Sequence, residues 1–159
     1  MKVFFGGIIQ GSIVGKDIHS QNYRKRIIQS LKSSYPEINI FDPVENHEDS
    51  VHYDDDRARQ VFFDHLGILR TCDLMIAFLP EASLGTAIEM REAYEHEIPI
   101  LTISPMTHNW VIRIMSARNF LSVDEFADYI SANDIFEIYN GKKKHLSESR
   151  SGHNADLSI

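Results

Sequence analysis

Short apolar segments alternate along the chain with longer stretches in which apolar residues recur every three or four positions. The short segments predict strands, because a strand that is covered on both faces is apolar throughout. They lie at residues 2–5, 38–41, 74–79 and 100–103. The periodic stretches predict helices, at residues 20–34, 55–70, 84–95, 110–116 and 122–132. Strands and helices that alternate at this spacing indicate an α/β fold, with an open parallel sheet of about five strands and helices on both faces.

Local signals add detail to several of these helices. Ser20 is expected to cap the first helix, whose buried stripe would consist of Tyr23, Ile27 and Leu31. Ser122 and Glu125 form a Ser-x-x-Glu capping box at the start of the last helix. In the helix at 55–70, four residues are expected to face the sheet: Ala58, Phe62, Leu66 and Leu69. The acidic segment 45–54 is expected to be a loop that can fold over a bound ligand.

The composition is that of one globular domain. The chain has 159 residues, of which 43% are hydrophobic, and this is enough for a single core. We expect the domain to occupy residues 1–140. The polar tail at 141–159 is expected to be mobile or to depend on a partner for its structure.

Charge and cysteine content narrow the range of partners. The net charge of −7 argues against a nucleic-acid polymer as partner, because its phosphates attract basic surfaces. The apolar runs are too short to span a membrane. The single cysteine, Cys72, excludes an internal disulfide and suits a reducing cytoplasm. A small neutral or modestly anionic ligand fits all of these features.

The chemistry is expected at the carboxyl ends of the strands, where open parallel sheets bind ligands. Three loops lie there, at residues 6–12, 80–85 and 104–109. Ser83 is expected to cap the helix after the second loop, and Glu89 lies one turn after Gly85 with its side chain leaning back toward it. A carboxylate in such a hollow can attack an anomeric carbon or stabilise an oxocarbenium-like transition state. Alternatively, Glu89 is an exposed helix residue and Gly85 serves close packing.

Three stretches carry a resemblance to a known family. They are Val3-Phe4-Phe5-Gly6-Gly7, residues 66–73, and Ser83-Leu84-Gly85-Thr86-Ala87-Ile88-Glu89. Over residues 2–116 the chain resembles the nucleoside 2-deoxyribosyltransferases and their relatives, the deoxynucleoside 5′-monophosphate N-glycosidases. The resemblance implies a flavodoxin-like or Rossmann-like sheet. It also implies cleavage or transfer of the N-glycosidic bond of a nucleoside or nucleotide, with no cofactor.

The resemblance also implies roles for particular residues. Glu89 would be the nucleophile that forms a glycosyl-enzyme intermediate, and Ser83 would contact the sugar or its 5′ substituent. Apart from the resemblance, we also expect Gly6, Gly7, Gln10 and Gly85 to bind substrate; Gln10, Ser12 or Lys16 would compensate for the phosphate-binding residues that this chain lacks. The family implies a homo-oligomer with shared sites, in which Asn109 would complete a neighbouring subunit's pocket; alternatively, Asn109 caps a short helix. The expected interface includes Trp110 and Phe120.

Two positions depart from the family pattern. The relatives carry an aspartate that protonates or orients the base eight residues before the position of Asp73, and this chain has His65 there, beside Asp64. A histidine can donate a proton to a departing base near neutral pH, so both residues are candidate catalytic residues. Alternatively, His65 is a satisfied core residue. Gly7 and Ile9 replace the Ser and Arg that bind a 5′-phosphate, so the choice between nucleoside and monophosphate stays open.

Two further signals are weaker. The glycine-rich residues 6–17 match neither the dinucleotide-binding spacing nor the P-loop spacing. His47, His52 and residues 54–56 form a cluster of potential metal ligands, but its irregular spacing fits neither a calcium loop nor a zinc site. We therefore expect a solvated loop there, and no metal.

Three functions are compatible with these patterns. The first is an enzyme that cleaves or exchanges the N-glycosidic bond through Glu89. The second is a non-catalytic module that senses a nucleotide, and the third is a glycohydrolase acting on a dinucleotide such as NAD. The sensing module differs from the two enzymes because it binds its ligand without consuming it.

Overall fold

The described strands form one parallel sheet. The computed structural model describes residues 1–10, 19–47, 49–135 and 137. Its strands are β1 (Lys2–Gly7), β2 (Asn39–Phe41), β3 (Leu74–Phe78), β4 (Ile100–Ile103) and β5 (Arg118–Phe120). They lie in the order β2-β1-β3-β4-β5, and every pair is parallel. The expected α/β sheet is therefore confirmed.

Helices cover both faces of this sheet. They are α1 (Asn22–Ser34), α2 (Pro43–Asn46), α3 (Asp55–Leu69), α4 (Leu84–Glu95), α5 (Trp110–Met115) and α6 (Val123–Ala132), with a 3-10 turn at Ser50–His52. Successive β1 side chains point to opposite faces, so Phe5 packs with the core under α1 and α6, whereas Phe4 packs with the core under α3, α4 and α5. Within the described chain, no helix combines the length and the apolar character needed to cross a membrane.

The strand order creates a crevice between β1 and β3. The chain leaves β1 toward β2 on one side, and it returns past β1 to form β3 on the other side. Connections that diverge in this way leave space beyond the carboxyl ends of the two central strands. Gly7 pairs with Phe78 at that edge, so the segments that follow β1 and β3 flank the same opening.

Most predicted elements occur with small changes of bounds, but one strand was not predicted. The helix and the strand expected at 84–95 and 100–103 are α4 and β4. β1 continues through Gly6 and Gly7, which had been expected to close it. The strand β5 was missed, and its Phe120 is fully buried, so the expectation that Phe120 belongs to an interface is wrong.

The start of α1 and the segment before α3 also differ from expectation. Gln21, not Ser20, is the N-cap residue of α1, and no side chain caps this helix. The segment expected to be a loop contains part of α2 and the 3-10 turn, and the Asp42 side chain caps α2 by accepting a hydrogen bond from the N–H of Val44 (3.0 Å). Ala58 was expected to face the sheet but is exposed, whereas Val61 is buried.

Candidate active site

A cavity of about 390 Å³ lies at the carboxyl ends of β1 and β3. Its volume is within the range of small-molecule sites. The end of β1 and the start of α4 form one side, with Gly7, Ile9, Gln10, Ser83, Leu84, Gly85, Thr86 and Glu89. The segment after β2 and helix α3 form the other side, with Pro43, His47, Ser50, Val51, Tyr53, Ala58, Val61, Phe62 and His65.

The carboxylate of Glu89 lies against the backbone of Gly6. A Cβ atom at position 6 would lie 2.6 Å from Glu89 Oε2 and 2.8 Å from Met75 Cε, closer than Cβ atoms approach other groups. Only a residue without a side chain leaves this space to the carboxylate. The Glu89 carboxyl group therefore packs directly on the β1 backbone at Gly6, and Glu89 lines the cavity there.

Burial also changes the protonation of Glu89. It raises the pKa of this carboxyl from 4.5 to about 8, because the charged form loses hydration; the nearby Arg24 opposes the shift. At neutral pH the Glu89 carboxyl is therefore protonated in most molecules. A carboxyl that titrates near the working pH in a cleft is characteristic of functional sites.

Ser83 organises the start of α4 as predicted. Its Oγ accepts hydrogen bonds from the backbone N–H of Thr86 (3.4 Å) and from the Thr86 hydroxyl (3.1 Å). This bonding caps the helix and fixes the turn of backbone that follows β3. The same turn carries Gly85, which has open space where a side chain would be.

Behind β1, the guanidinium of Arg24 is buried and fully engaged. It forms an ion pair with Asp42, with 2.5 Å between Nη1 and Oδ1. It also donates hydrogen bonds to the carbonyl oxygens of Phe5 (3.4 Å) and Gly7 (3.3 Å) and to Gln21 Oε1 (2.7 Å). The pair links α1, the end of β1 and the start of α2.

Tyr23 lies beside Arg24, on the same face of the sheet. Its ring stacks on Phe78 with 3.9 Å between the ring centroids, and its hydroxyl donates a hydrogen bond to the carbonyl oxygen of Ile8 (2.8 Å). Burial raises the pKa of the Tyr23 phenol to about 12, so the ring stays neutral. A Cβ at Gly7 would lie 2.7 Å from the Tyr23 hydroxyl oxygen, so the tyrosine also needs a glycine beneath it.

On the opposite wall, His65 lies among aromatic rings. Its ring contacts Phe41 (5.5 Å between centroids) and His47 (5.1 Å). The pKa of His65 is lowered to about 4, mainly by burial and to a lesser extent by His47, while Asp64 opposes the shift. The imidazole is therefore neutral at neutral pH, and it can exchange hydrogen bonds but is a poor proton donor.

A second histidine and a tyrosine extend this wall. Nδ1 of His47 lies 3.0 Å from the hydroxyl oxygen of Tyr53, and the two rings meet edge to face. The guanidinium of Arg57 lies over the Tyr53 ring, 5.7 Å from its centroid. Within the described residues, no group of three or more His, Cys, Asp or Glu side chains could hold a metal ion.

The fold brings most of the predicted site residues together. Glu89 and His65 both line the cavity, and so do four of the predicted substrate-binding residues: Gly7, Gln10, Ser83 and Gly85. Gly6 lies directly beneath the Glu89 carboxylate. The predicted loop at 6–12 is described only as far as Gln10, and the predicted tail at 141–159 lies outside the described residues.

Two predicted residues lie away from the cavity lining. Asp64 is exposed on α3. Asn109 caps α5, where its Oδ1 accepts hydrogen bonds from the N–H groups of Val111 (2.9 Å) and Ile112 (3.4 Å). Of the loop at 104–109, no residue is among the described residues that line the cavity.

Sequence reasoning assigned no site role to Arg24, and it placed His47 and Tyr53 only in a segment expected to be a loop that can fold over a ligand. Arg24 lies in the cationic run Arg24-Lys25-Arg26, which by pattern predicts a solvated helix face. His47 and Tyr53 lie in a segment without periodicity. The one usable signal was Asp42-Pro43, since an aspartate before a proline is typical of a helix cap at the end of a strand.

This arrangement defines the class of fold, which is a flavodoxin-like α/β sheet with a small-molecule cavity at its switch point. No family model matches the chain. No curated protein matches it by sequence.

Several solved structures are similar to this chain. A 2-deoxyribosyltransferase from the psychrotolerant bacterium Bacillus psychrosaccharolyticus has a TM-score of 0.64 and 17% identity, over 87% of this chain and 96% of that one. A conserved protein from Enterococcus faecalis V583 has a TM-score of 0.55 and 17% identity, over 82% and 97%. A CMP N-glycosidase from Clostridium botulinum has a TM-score of 0.48 and 19% identity, over 80% and 95%. The first two confirm the predicted fold.

Proposed function

We propose that the chain cleaves or transfers the N-glycosidic bond of a nucleoside or its 5′-monophosphate, with Glu89 as the nucleophile. The observation that carries this proposal is the placement of the Glu89 carboxylate on the bare backbone of Gly6, at a ligand-sized cavity. The similarity in fold to a 2-deoxyribosyltransferase agrees with it.

In the first step, the ionised Glu89 oxygen attacks C1′ of the sugar. The C1′–N bond breaks, and its electron pair leaves with the base, which takes up one proton. The products are a glycosyl ester on Glu89 and a free base, and division into two steps lowers the barrier of each. Glu89 gives its proton to solvent before the attack, and the base takes one proton from solvent after the C1′–N bond has broken, so the half-reaction balances and depends on the ionised carboxylate.

In the second step, the ester is resolved by an incoming nucleophile. Water attack on C1′ gives the free sugar and restores Glu89, with one proton released. Attack on C1′ by a ring nitrogen of a second base instead breaks the bond to the Glu89 oxygen and gives a new nucleoside, and the proton of that nitrogen is released. Exclusion of water while the ester exists decides between hydrolase and transferase.

The wall formed by His65, His47 and Tyr53 is assigned to the base. Flat rings suit stacking and edge contacts with a nucleobase. Because the imidazole of His65 is neutral, its part is to hydrogen-bond the base. Ser83 and the first turn of α4 face the same cavity and are assigned to the sugar and its 5′ side.

A non-catalytic sensing module is the second candidate. The observation that favours it is the raised pKa of Glu89, since a protonated carboxyl at neutral pH can donate a hydrogen bond to a sugar hydroxyl. In this case the ligand would leave the site unchanged.

The deciding experiment is chromatographic detection of free base. The protein is incubated with ribo- and deoxynucleosides and their 5′-monophosphates, with and without a second base. The test variant is Glu89→Gln, and the matched control is Glu95→Gln, because Glu95 is on the same helix but exposed and paired with Arg91.

Base release that is lost in Glu89→Gln and kept in Glu95→Gln supports the enzyme. Thermal stabilisation of all three proteins by a nucleoside, with no base released, assigns the sensing function instead. Consumption of NAD in preference to every nucleoside would replace the proposal with the dinucleotide reaction.

We also propose that the chain acts as a homo-oligomer. Leu84 and Ile88 on α4 are one turn apart and exposed, as are Trp110 and Ile114 on α5, and these two helices pack together. Leu84 is 85% exposed and also lines the cavity. A second copy on this face would cover the rim of the site and bring Asn109, at the start of α5, close to it.

A further inference from the structure

Arg24 is a charged residue in a place where charges are costly. Its side chain is buried, and the whole residue is 4% exposed. Its ion pair with Asp42 is buried on both sides, and removing one partner of such a pair leaves an uncompensated charge. A buried pair is weak evidence for stability in itself, so its position relative to the cavity is the informative feature.

The guanidinium holds the strand segment on which Glu89 rests. Its hydrogen bonds go to the carbonyl oxygens of Phe5 and Gly7, the residues immediately before and after Gly6. Any movement of this segment would move the surface that contacts the Glu89 carboxylate. Arg24 thus acts on the carboxylate without touching the cavity, since it is not among the described residues that line it.

We propose that Arg24, paired with Asp42, is a positioning residue for the reaction: it fixes the Gly6 backbone beneath Glu89, and its positive charge favours the ionised form of the Glu89 carboxyl. This inference rests on the proposed function, because it assigns Arg24 a part in the same nucleophilic step.

The electrostatic part agrees with this geometry. Burial is the main influence on the pKa of Glu89, and Arg24 is the charged group that opposes it. Tyr23 on α1, which interacts with Glu89, stays neutral, and so does His65, the other lining residue with a shifted pKa. The strand residues at this point, Gly6 and Met75, do not titrate. Asp42 offsets part of the Arg24 charge, although burial raises its own pKa.

The test compares charge and shape at position 24. Arg24→Met removes the charge and keeps the length of the side chain, and Arg24→Lys keeps the charge but loses the guanidinium geometry. The double variant Arg24→Met/Asp42→Asn avoids a lone buried carboxylate, so it guards against misfolding of the single variant. Arg26→Met is the matched control, because Arg26 is on the same helix but exposed and paired with Asp124.

Two readouts are needed for each variant. The first is the pH dependence of kcat/KM for base release. The second is titration of the Glu89 side-chain carboxyl by carbon NMR, with the signal assigned by its loss in Glu89→Gln. The second readout does not depend on activity, so it separates the role of Arg24 from the proposed reaction.

We expect Arg24→Met to move the Glu89 titration to higher pH by about one unit, which lowers kcat/KM at pH 7 about tenfold. The double variant should move the titration less, because the Asp42 charge is lost as well, but its kcat should fall below the wild-type value because the bonds to the Phe5 and Gly7 carbonyls are lost. Arg24→Lys should restore the titration while kcat stays below the wild-type value. Arg26→Met should change neither. A Glu89 titration that does not move in Arg24→Met, or a kcat that stays at the wild-type value in the folded double variant, overturns the inference. A moved titration in a protein that releases no base upholds the charge effect and overturns the reaction.

Discussion

At position 6 the absence of a side chain makes room for the Glu89 carboxylate. The backbone there is ordinary strand, so the glycine is required by the space above it and not by an unusual conformation. This is a different use of glycine from the one in turns, where positive backbone angles matter. The residue-scale predictions below follow from this close approach and from the charge of Glu89.

We predict that Gly6→Ala impairs the site more than the fold. The added methyl group displaces Glu89 Oε2 and Met75 Cε, which are both ends of flexible side chains, so the free energy of unfolding should fall by about 1–2 kcal/mol. Base release should fall at least tenfold, because the carboxylate is moved. Urea denaturation and base release measure the two effects.

Gly67→Ala is the control for this substitution. Gly67 lies within α3 and has open space at the Cβ position, so alanine should raise the free energy of unfolding by about 0.5–1 kcal/mol. Base release should stay unchanged. Equal losses of activity in both glycine variants would contradict the role given to Gly6.

We predict that kcat/KM for base release rises with pH up to about 8 and then levels off. The nucleophile is the ionised form of Glu89, and burial raises its pKa to about 8. His65, with a pKa of about 4, stays neutral over this range and adds no second step. The pH profile of kcat/KM for a nucleoside between pH 5 and 9.5 tests this prediction, and a flat profile would remove Glu89 from the nucleophilic role.

The same shift predicts a pH-dependent stability. The folded state holds the Glu89 proton up to pH 8, whereas the unfolded chain releases it near 4.5, so wild-type stability falls as pH rises through this window. Glu89→Gln lacks this loss. Its free energy of unfolding relative to wild type should therefore increase between pH 5 and 9, by up to a few kcal/mol. Thermal melts at the two pH values provide the measurement.

Among the elements, two helices begin with the same capping chemistry and serve different ends. Ser83 caps α4 at the cavity, and Ser122 caps α6 on the other face of the sheet, where its Oγ accepts a hydrogen bond from the N–H of Glu125 (3.1 Å). The Glu125 carboxylate in turn accepts a hydrogen bond from the N–H of Leu121 (2.7 Å). Loss of either cap should lower the free energy of unfolding by a similar amount, but only loss of the Ser83 cap should weaken ligand binding.

We predict that Ser83→Ala and Ser122→Ala each lower the free energy of unfolding by about 1 kcal/mol. Only Ser83→Ala should also raise KM, because its hydroxyl and the capped turn face the cavity. Chemical denaturation and steady-state kinetics on the two variants give a direct comparison. If Ser122→Ala raised KM by the same amount, the effect of Ser83→Ala on KM would come from lost stability and not from contact with the ligand.

The sequence was informative about elements wherever the signal was local. The bounds of α4 follow from a capping serine after a strand, and those of β4 from a short, mainly apolar segment between Pro99 and a polar loop. β5 escaped prediction because its three residues, Arg118 to Phe120, carry no pattern of their own, and pairing with β4 alone makes them a strand. Ala58 was misplaced because the first turns of α3 project beyond the sheet and line the cavity.

For the site, the sequence could place the residues on α4 but not those that approach from elsewhere. Glu89, Ser83 and Gly85 follow from helical geometry within seven positions. The partnership of Arg24 with Asp42 spans 18 positions, and burial of an arginine cannot be inferred from a run of cations. The neutral state of His65 depends on the rings packed around it, which only the folded chain supplies.

For the whole molecule, the exposed apolar face on α4 and α5 is the feature that points beyond a single chain. Trp110 is 74% exposed and Ile114 60%, and grouped apolar exposure of this kind is typical of interfaces. The face adjoins the cavity through Leu84. Association and activity are therefore expected to depend on each other.

We predict that Ile114→Glu shifts the chain to a smaller species and lowers base release. The introduced charge cannot be buried at an apolar interface without a partner. Sedimentation velocity at several concentrations measures the mass, with Leu121→Glu as the control, since Leu121 is exposed next to α6. A wild-type protein that is monomeric at assay concentrations would refute the oligomer.

The contact between Gly6 and Glu89 has a genetic consequence. The Glu89 carboxyl occupies the volume that a side chain at position 6 would fill, so the sizes of the two side chains depend on each other. In a Gly6→Ala protein, Glu89→Asp should thus restore part of the lost stability, since the shorter acid removes one of the two contacts of the added methyl group and leaves the one with Met75 Cε. The double variant would be inactive, because the aspartate no longer reaches the sugar. Selection for a stable fold alone would therefore tolerate Gly6→Ala together with Glu89→Asp, whereas selection for activity would keep Gly6 with Glu89.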